Sequence, residues 1–469
     1  MMQMFRIDSN AAHACRHHIV SSTALETLHS VHAASQQGGK QTDLKMLSGW
    51  PVNMWLWILL TFIMPLLTSA YSEKERAQEL MDRFPLIDGH NDLPLKIRVY
   101  YNNRLSQIDL QKISKAATDI YRLRAGSVQT QMFAAYVPCG AQEKDAVMLT
   151  LEQIDLVRRM CNKAQDLELV TTYDDLTNSM MKQKIACLIS IEGGHSIDSS
   201  LAVLRMFYEL GVRSMSLTHN CNTPWAETST DLYGVFQREN NSLTPFGKSV
   251  VEEMNRLGMI VDLSHSSWET ASAALKHSRA PVIFSHSSSH SICDNKRNVP
   301  DWLLRELEQK NGLIMVNLYS KFISCGKDAN ISDVADHFDH IKKIIGAKSI
   351  GIGGDFDGAD SFPQGLQDVS KYPALIQELL KRNWSEQDLA DVLRRNFLRV
   401  FKEVENVRDN SKHLIPSEDQ IPSEKVKNLC RLDRQNPILQ RSISGAKFIL
   451  PNLYLMSSLL LFSSIFMNK

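Results

Sequence analysis

The 469-residue sequence has no excess of charge of either sign, because Lys+Arg and Asp+Glu both number 52. With no basic stripe, nucleic acid is excluded as an expected partner. No internal repeat of the solenoid kind is present, which sets aside stacked-repeat architectures. Charge is also missing locally: none occurs from Met46 to Ser72. Apolar periodicity, in turn, is missing after Glu405, where residues 406–446 are polar and charged.

The uncharged stretch at the front contains an apolar run, Met54 to Leu67, followed by Thr68-Ser69-Ala70. Small residues closing a short apolar run read as a signal peptide cleaved after Ala70, with an uncleaved signal anchor as the alternative. The 45 residues before it are polar, His/Ser-rich and longer than a usual leader, which points to a start at Met46. At the other end, Phe448 to Met467 is apolar and follows the small residues Ser444-Gly445-Ala446. That order suggests a glycolipid-anchor signal over 447–469 with attachment at Ser444; the alternative is a transmembrane helix, which Pro451 and Asn452 weaken. The expected location is the outer face of the plasma membrane. Sequons at Asn240, Asn330 and Asn383 fit such a surface. Removing Cys15 with the leader leaves seven cysteines, an odd number that implies a free or intermolecular thiol. Oxidising conditions favour pairing among the others.

Between residues 85 and 360 eight short apolar, β-prone runs recur between helical patterns. They are Pro85–Asp88, Gln131–Val137, Ile185–Ile191, Ser214–Leu217, Met259–Leu263, Pro281–Phe284, Leu313–Leu318 and Ser349–Gly353. Thr244–Leu257 shows the helical kind, with Val250, Val251, Met254 and Leu257 on one stripe. Eight strand–helix units close naturally into a (β/α)8 TIM barrel over 71–405; an open doubly wound sheet is the alternative. Asn383–Val404 reads as the closing amphipathic helix, capped by Ser385. Residues 406–446 then form a polar stalk.

In a barrel the catalytic groups stand at the C-terminal ends of the strands. The first run leads into His90 and Asp92, the third into Glu192, the fourth into His219, the fifth into His265, the sixth into His286 and the eighth into Asp355. All converge on one rim. Imidazole nitrogens mixed with carboxylates suit Zn²⁺, and His90 and Asp92, two apart on an extended strand end, point to the same side. His337 and His340 flank a core stripe instead. His195 supports the site rather than entering it, and Asp357 is a turn residue.

The blocks IDGHNDLP (87–94), IEGGHSID (191–198), THNCNTPWA (218–226), VDLSH (261–265), PVIFSHSSS (281–289), RNVPD (297–301) and GIGGDFDG (351–358) resemble the membrane dipeptidase (renal dipeptidase) family. Weaker similarity runs on to Glu405, so about 330 residues are covered, and the family's barrel is similar to amidohydrolase folds. The resemblance implies that His90, Asp92 and Glu192 hold one zinc ion and that Glu192, His265 and His286 hold a second, two per chain. Glu192 would bridge them, and the pair would acidify a water toward pKa ~7. It implies His219 as the donor to the oxyanion, Asp355 as the acid/base, and Arg297 as the clamp on the dipeptide's free carboxylate. It also implies disulfides Cys139–Cys221 and Cys293–Cys325, an interchain bridge through Cys430 in a homodimer, and free, buried Cys161 and Cys187. Within the family the wording of FPLIDGHNDLPL, RRMC and IACLIS leans toward the second form, which implies leukotriene D4 and cystinyl-bis-glycine among the dipeptide substrates. Another binuclear barrel hydrolase, or a surface adhesion protein without turnover, are the competing readings. The resemblance implies that some relatives within the family lack metal-binding residues, whereas none is missing here.

Overall fold

A computed structural model describes residues 72–236, 242–326 and 328–426. The leader 1–70, Asn240, Cys430, Ser444 and the tail 447–469 lie outside the described residues.

Eight parallel strands close into a (β/α)8 barrel. They are β1 (Leu86–Asn91), β2 (Val128–Tyr136), β4 (Ile185–Glu192), β5 (Val212–Ser216), β6 (Ile260–Asp262), β7 (Ile283–Phe284), β8 (Leu313–Val316) and β9 (Ile350–Ile352). The hydrogen-bonded order is β2-β1-β9-β8-β7-β6-β5-β4, and β4 returns to β2 along seven residue pairs from Thr130↔Ala186 to Tyr136↔Glu192. A ninth, short strand, β3 (Leu167–Leu169), pairs with the first residues of β4 outside the ring. The eight-run expectation omits it because three residues cannot display a period.

Both faces of these strands are buried, which is why they read as nearly continuous apolar runs. In β4 the period of two is nevertheless visible in what each residue touches. Ala186 and Leu188 pack in the barrel interior with Ile87, Met132 and Met315. Cys187, Ile189 and Ile191 pack outward against the helices. Counting on from Leu188 by twos carries the strand to Glu192, so the carboxylate is delivered to the interior at the rim.

The helical ring forms for local reasons. In Pro245–Leu257 the Thr244 hydroxyl accepts from Gly247 N–H, Pro245 occupies the first turn, and Gly258 (φ 81°) ends the helix in the left-handed region. Its expected stripe, Val250, Val251, Met254 and Leu257, is buried. The closing helix begins after Ser385, whose side chain accepts from Asp388 N–H. It is interrupted by a π-helical turn at Asp391–Arg395 and then continues over Asn396–Asn410. Beyond it, Arg205 donates to Ser417 O and Ser249 donates to Asp419, so the start of the polar segment after 405 lies against the barrel. Among the described residues no helix is long and apolar enough to cross a membrane.

Among the described residues three disulfides are present: Cys139–Cys221, Cys293–Cys325 and Cys161–Cys187. The third corrects the expectation that Cys161 and Cys187 are free thiols. Cys187 sits on the outward face of β4, and Cys161 sits on the inward face of the helix Ala146–Lys163 that covers it. Their Cα atoms are 6.4 Å apart, within the span a disulfide bridges.

Candidate metal centre

The residues expected at the rim are brought together there by six strand ends, β1 carrying both His90 and Asp92. His90 is the fifth residue of β1, and Asp92 follows it as the first turn of the helix Leu93–Tyr101 begins. Glu192 ends β4, His219 follows β5, His265 follows β6, His286 follows β7 and Asp355 follows β9. His265 (φ 71°) and Asp355 (φ 57°) occupy the left-handed region, a cost that non-glycine residues bear mostly at functional sites.

The cluster is centred on one atom. Glu192 Oε1 lies 3.1 Å from His265 Nε2, 3.5 Å from His90 Nε2, 3.5 Å from His286 Nε2 and 3.7 Å from His219 Nε2. His90 Nε2 is also 3.1 Å from Asp92 Oδ2, and His265 Nε2 is 3.0 Å from His286 Nε2. Within it the donor atoms of His90, Asp92 and Glu192, of Glu192, His219 and His265, and of His90, His286 and Asp355 form three tight groups. Two features fit a bound cation. Asp92 Oδ1 is buried without a hydrogen-bond partner, and imidazole nitrogens face one another at 3.0 Å. Nitrogen and carboxylate donors of this kind suit zinc.

Side chains that the sequence did not single out hold these donors in place. Asn220 Oδ1 meets His265 Nδ1 at 3.0 Å, Ser285 Oγ meets His286 Nδ1 at 2.8 Å, and Asn317 Nδ2 donates to Asp355 Oδ2 at 3.0 Å. Asp88, buried beneath them, accepts from His90 N–H, Gly354 N–H and the Tyr372 hydroxyl, and so ties the ends of β1 and β9 together. Gly358 is obligatory for space. A Cβ there would stand 2.2 Å from Asp92 Oδ2 and 2.6 Å from Asp355 Oδ1. Asp88, Asn220, Ser285 and Gly358 lie inside recognised blocks, which was the available signal for them; Asn317 and Tyr372 lie in none of those blocks.

Burial sets the electrostatics. It raises Glu192 well above the usual carboxylate range, reinforced by the charge on Asp92. It raises Asp355 to about 6, with Asp92 adding to the effect while His90 and the Asn317 hydrogen bond oppose it. For His90 burial works downward but is outweighed by Glu192 and Asp92, which hold it up at about 10. His219, His265 and His286 are driven well below the ordinary imidazole range by burial, helped by the positive charge of Arg297 and His90. Arg297 is itself buried; Nη1 lies 3.4 Å from Ser287 Oγ, Nη2 lies 3.4 Å from His286 O, and the guanidinium sits 5.3 Å from the Phe322 ring centroid. These are long contacts for a group with five donors.

The other histidines weighed from the sequence, His337, His340 and His195, have structural partners. His337 Nδ1 accepts from Ser289 N–H and Nε2 donates to Ile323 O, which occupies both nitrogens. His340 Nε2 pairs with Asp301, and His195 Nε2 with Val137 O. Asp357 (φ 71°) accepts from Ala117 N–H in its turn. Asn330 and Asn383 are exposed.

A closed parallel barrel with imidazoles and carboxylates gathered at its strand ends defines a hydrolase-type barrel built around a metal cofactor. Solved structures with the same fold include the probable dipeptidase PvdM from Pseudomonas aeruginosa (TM-score 0.66, 21% identity, 71% of this chain and 99% of that one). Another is a metallo peptidase from Rhodobacter sphaeroides liganded with a phosphinate mimic of the dipeptide L-Ala-D-Ala (TM-score 0.62, 24% identity, 68% and 99%). Dipeptidase 3 of Mus musculus is 53% identical over 357 residues, and that of Homo sapiens 52% over 355, each alignment covering 76% of this chain and 72% of the relative. The profile of the membrane dipeptidase family (peptidase family M19) matches residues 74–414, and the chain belongs to that family. The expected leaning toward the second form is not borne out, because these relatives at 52–53% identity are named Dipeptidase 3, and it gives way to the family alone.

Proposed function

We propose that this protein is a zinc-dependent dipeptidase that hydrolyses dipeptides bearing a free C-terminal carboxylate. The observation that carries the reading is the position of Glu192 Oε1, within 3.7 Å of four imidazole nitrogens from four other strand ends. One carboxylate so placed can serve two cations, the first held with His90 and Asp92 and the second with His265 and His286. The chemistry supplied by such a pair, when bound, is polarisation of the scissile carbonyl and acidification of water at neutral pH.

The chain's own residues do the rest. Asp355, fixed through Oδ2 by Asn317, keeps Oδ1 to take a proton from water and return it to the leaving amine, and a carboxyl near 6 suits both tasks. His219, neutral and held beside Glu192, aims a donor at the oxygen where negative charge develops. Arg297 offers its guanidinium to the substrate carboxylate, which fixes the peptide's C-terminus and leaves no room for a further residue. Cysteinyl-glycine bonds, as in leukotriene D4 and cystinyl-bis-glycine, fall within this substrate class. We propose also that the protein is displayed on the plasma membrane by a lipid anchor at Ser444, as a homodimer bridged through Cys430.

The test is substrate profiling of the purified ectodomain on dipeptides, tripeptides and dipeptide amides, alongside metal analysis. Dipeptides should be cleaved, the other two spared, with two zinc ions per chain and no turnover in Glu192→Gln. Zinc-loaded protein that leaves dipeptides intact overturns the reading. Release of the intact cell-surface protein by a phosphoinositide-cleaving lipase tests the anchor.

A further inference from the structure

Behind His286 stand two buried side chains, Ser285 and Asp262, that none of the recognised roles uses. His286 Nδ1 lies 2.8 Å from Ser285 Oγ, which lies 2.5 Å from Asp262 Oδ2. The other carboxylate oxygen, Asp262 Oδ1, accepts from the backbone N–H groups of Ser264 (2.9 Å) and Ser285 (3.0 Å). Three donors thus surround the Asp262 carboxylate; burial pushes its pKa up, and these three hydrogen bonds oppose that by favouring the charged form.

A serine hydroxyl carries one hydrogen. The short, charge-assisted contact to Asp262 takes it; the competing oxygen, Ser264 Oγ, is 3.4 Å away. Ser285 Oγ can then only accept from His286, so the proton of that imidazole resides on Nδ1. Nε2 is left with its lone pair directed at the cluster, 3.5 Å from Glu192 Oε1 and 3.0 Å from His265 Nε2. We infer that Asp262 and Ser285 are positioning residues which, by this carboxylate–hydroxyl–imidazole chain, hold His286 in the tautomer able to bind a metal ion. The inference rests on the two-metal reading above, and it explains why a carboxylate is buried one strand away from a ligand it never touches.

Reversing the chain's polarity tests it. In Asp262→Asn the amide oxygen can keep both backbone bonds while the amide nitrogen donates to Ser285. The serine hydrogen is then turned onto His286 Nδ1, and the proton moves to Nε2, where it blocks coordination. Affinity for the second zinc ion, measured by competition with a chelator, should fall by roughly 10–100-fold while the first ion is retained. Adding Ser285→Ala to Asp262→Asn removes the reversed hydroxyl and should recover part of that affinity, which a merely structural role would not do. In metal-free wild-type protein, ¹⁵N shifts should place the His286 proton on Nδ1. A proton on Nε2, or zinc affinity unchanged in Asp262→Asn, overturns the inference. Should Asp262→Asn fail to fold, Ser285→Ala and the wild-type ¹⁵N shifts decide. Wild-type protein binding a single zinc ion would instead overturn the two-metal reading, with the tautomer measurement still standing on its own.

Discussion

Arg297 is a buried cation with little to hold it. Its two hydrogen-bond contacts are both 3.4 Å long, and the negative charges that attract it, Asp355 first and then Glu192 and Asp262, act from a distance. If its partner is the substrate carboxylate, Arg297→Ala removes a paired, charge-assisted interaction in a water-poor site. Truncating one side of such a pair costs about 3 kcal/mol, within the usual range of 2–5, which is about 150-fold in kcat/KM. The loss should belong to the carboxylate. The assay therefore compares a dipeptide with its C-terminal amide in both proteins: the acid loses about 150-fold, whereas the amide, already a poor substrate, changes by less than about 5-fold. Thermal stability gives a second arm, because deleting a buried charge without a close partner leaves nothing uncompensated behind. The thermal midpoint of the zinc-loaded variant should not fall. Equal losses on acid and amide would refute the assignment, since the guanidinium would then be acting on the cluster rather than on the substrate.

Gly358→Ala should cost at least about 100-fold in kcat and lower the metal content, because the new methyl cannot coexist with Asp92 Oδ2 and Asp355 Oδ1 where they stand. Steady-state kinetics and metal analysis check it, and a fully active, fully loaded variant would count against the site's geometry. His337, held down at about 4 by burial, stays neutral in the fold while the unfolded chain takes up a proton near 6.5. Its stabilising contribution is therefore complete above 6.5 and is lost as pH falls toward 4, by about 3 kcal/mol. Denaturant titrations across that window should show a slope steeper by about one proton in wild type than in His337→Gln. The Cys161–Cys187 bridge closes a separation of 26 residues, for which loop entropy gives about 3.5 kcal/mol. Replacing both cysteines with alanine should lower the thermal midpoint, and peptide mapping of the wild type should recover the linked pair.

The barrel was legible because its signal is topological. Apolar runs bounded by helical patterns, eight times over, leave few alternatives, and β1, β2 and β4 to β9 each overlap one of the expected runs. What escaped were features with no period to display. β3 has three residues, and the π turn at Asp391–Arg395 adds a residue inside a stripe that otherwise continues through Phe397 and Phe401. The Cys161–Cys187 pair escaped for a different reason. A cysteine in a buried strand looks like any small apolar residue until one knows which face it is on, and in β4 that face is turned to the helix carrying Cys161.

The donors themselves could be found from the sequence because each is the polar residue that breaks an apolar run at its C-terminal end, where a barrel must gather such residues. Their orientation could not be found this way, since it depends on contacts between strands rather than along them. Asp262 closes β6, yet it governs a histidine beyond β7 through a serine; Asn317, after β8, governs Asp355 after β9. In each case the partner comes from the adjacent strand. Neighbouring strand ends in this barrel therefore work in pairs, one supplying the reactive group and the next fixing its hydrogen bond. That division is a property of the closed ring, and a reading taken one strand at a time sees only its first half.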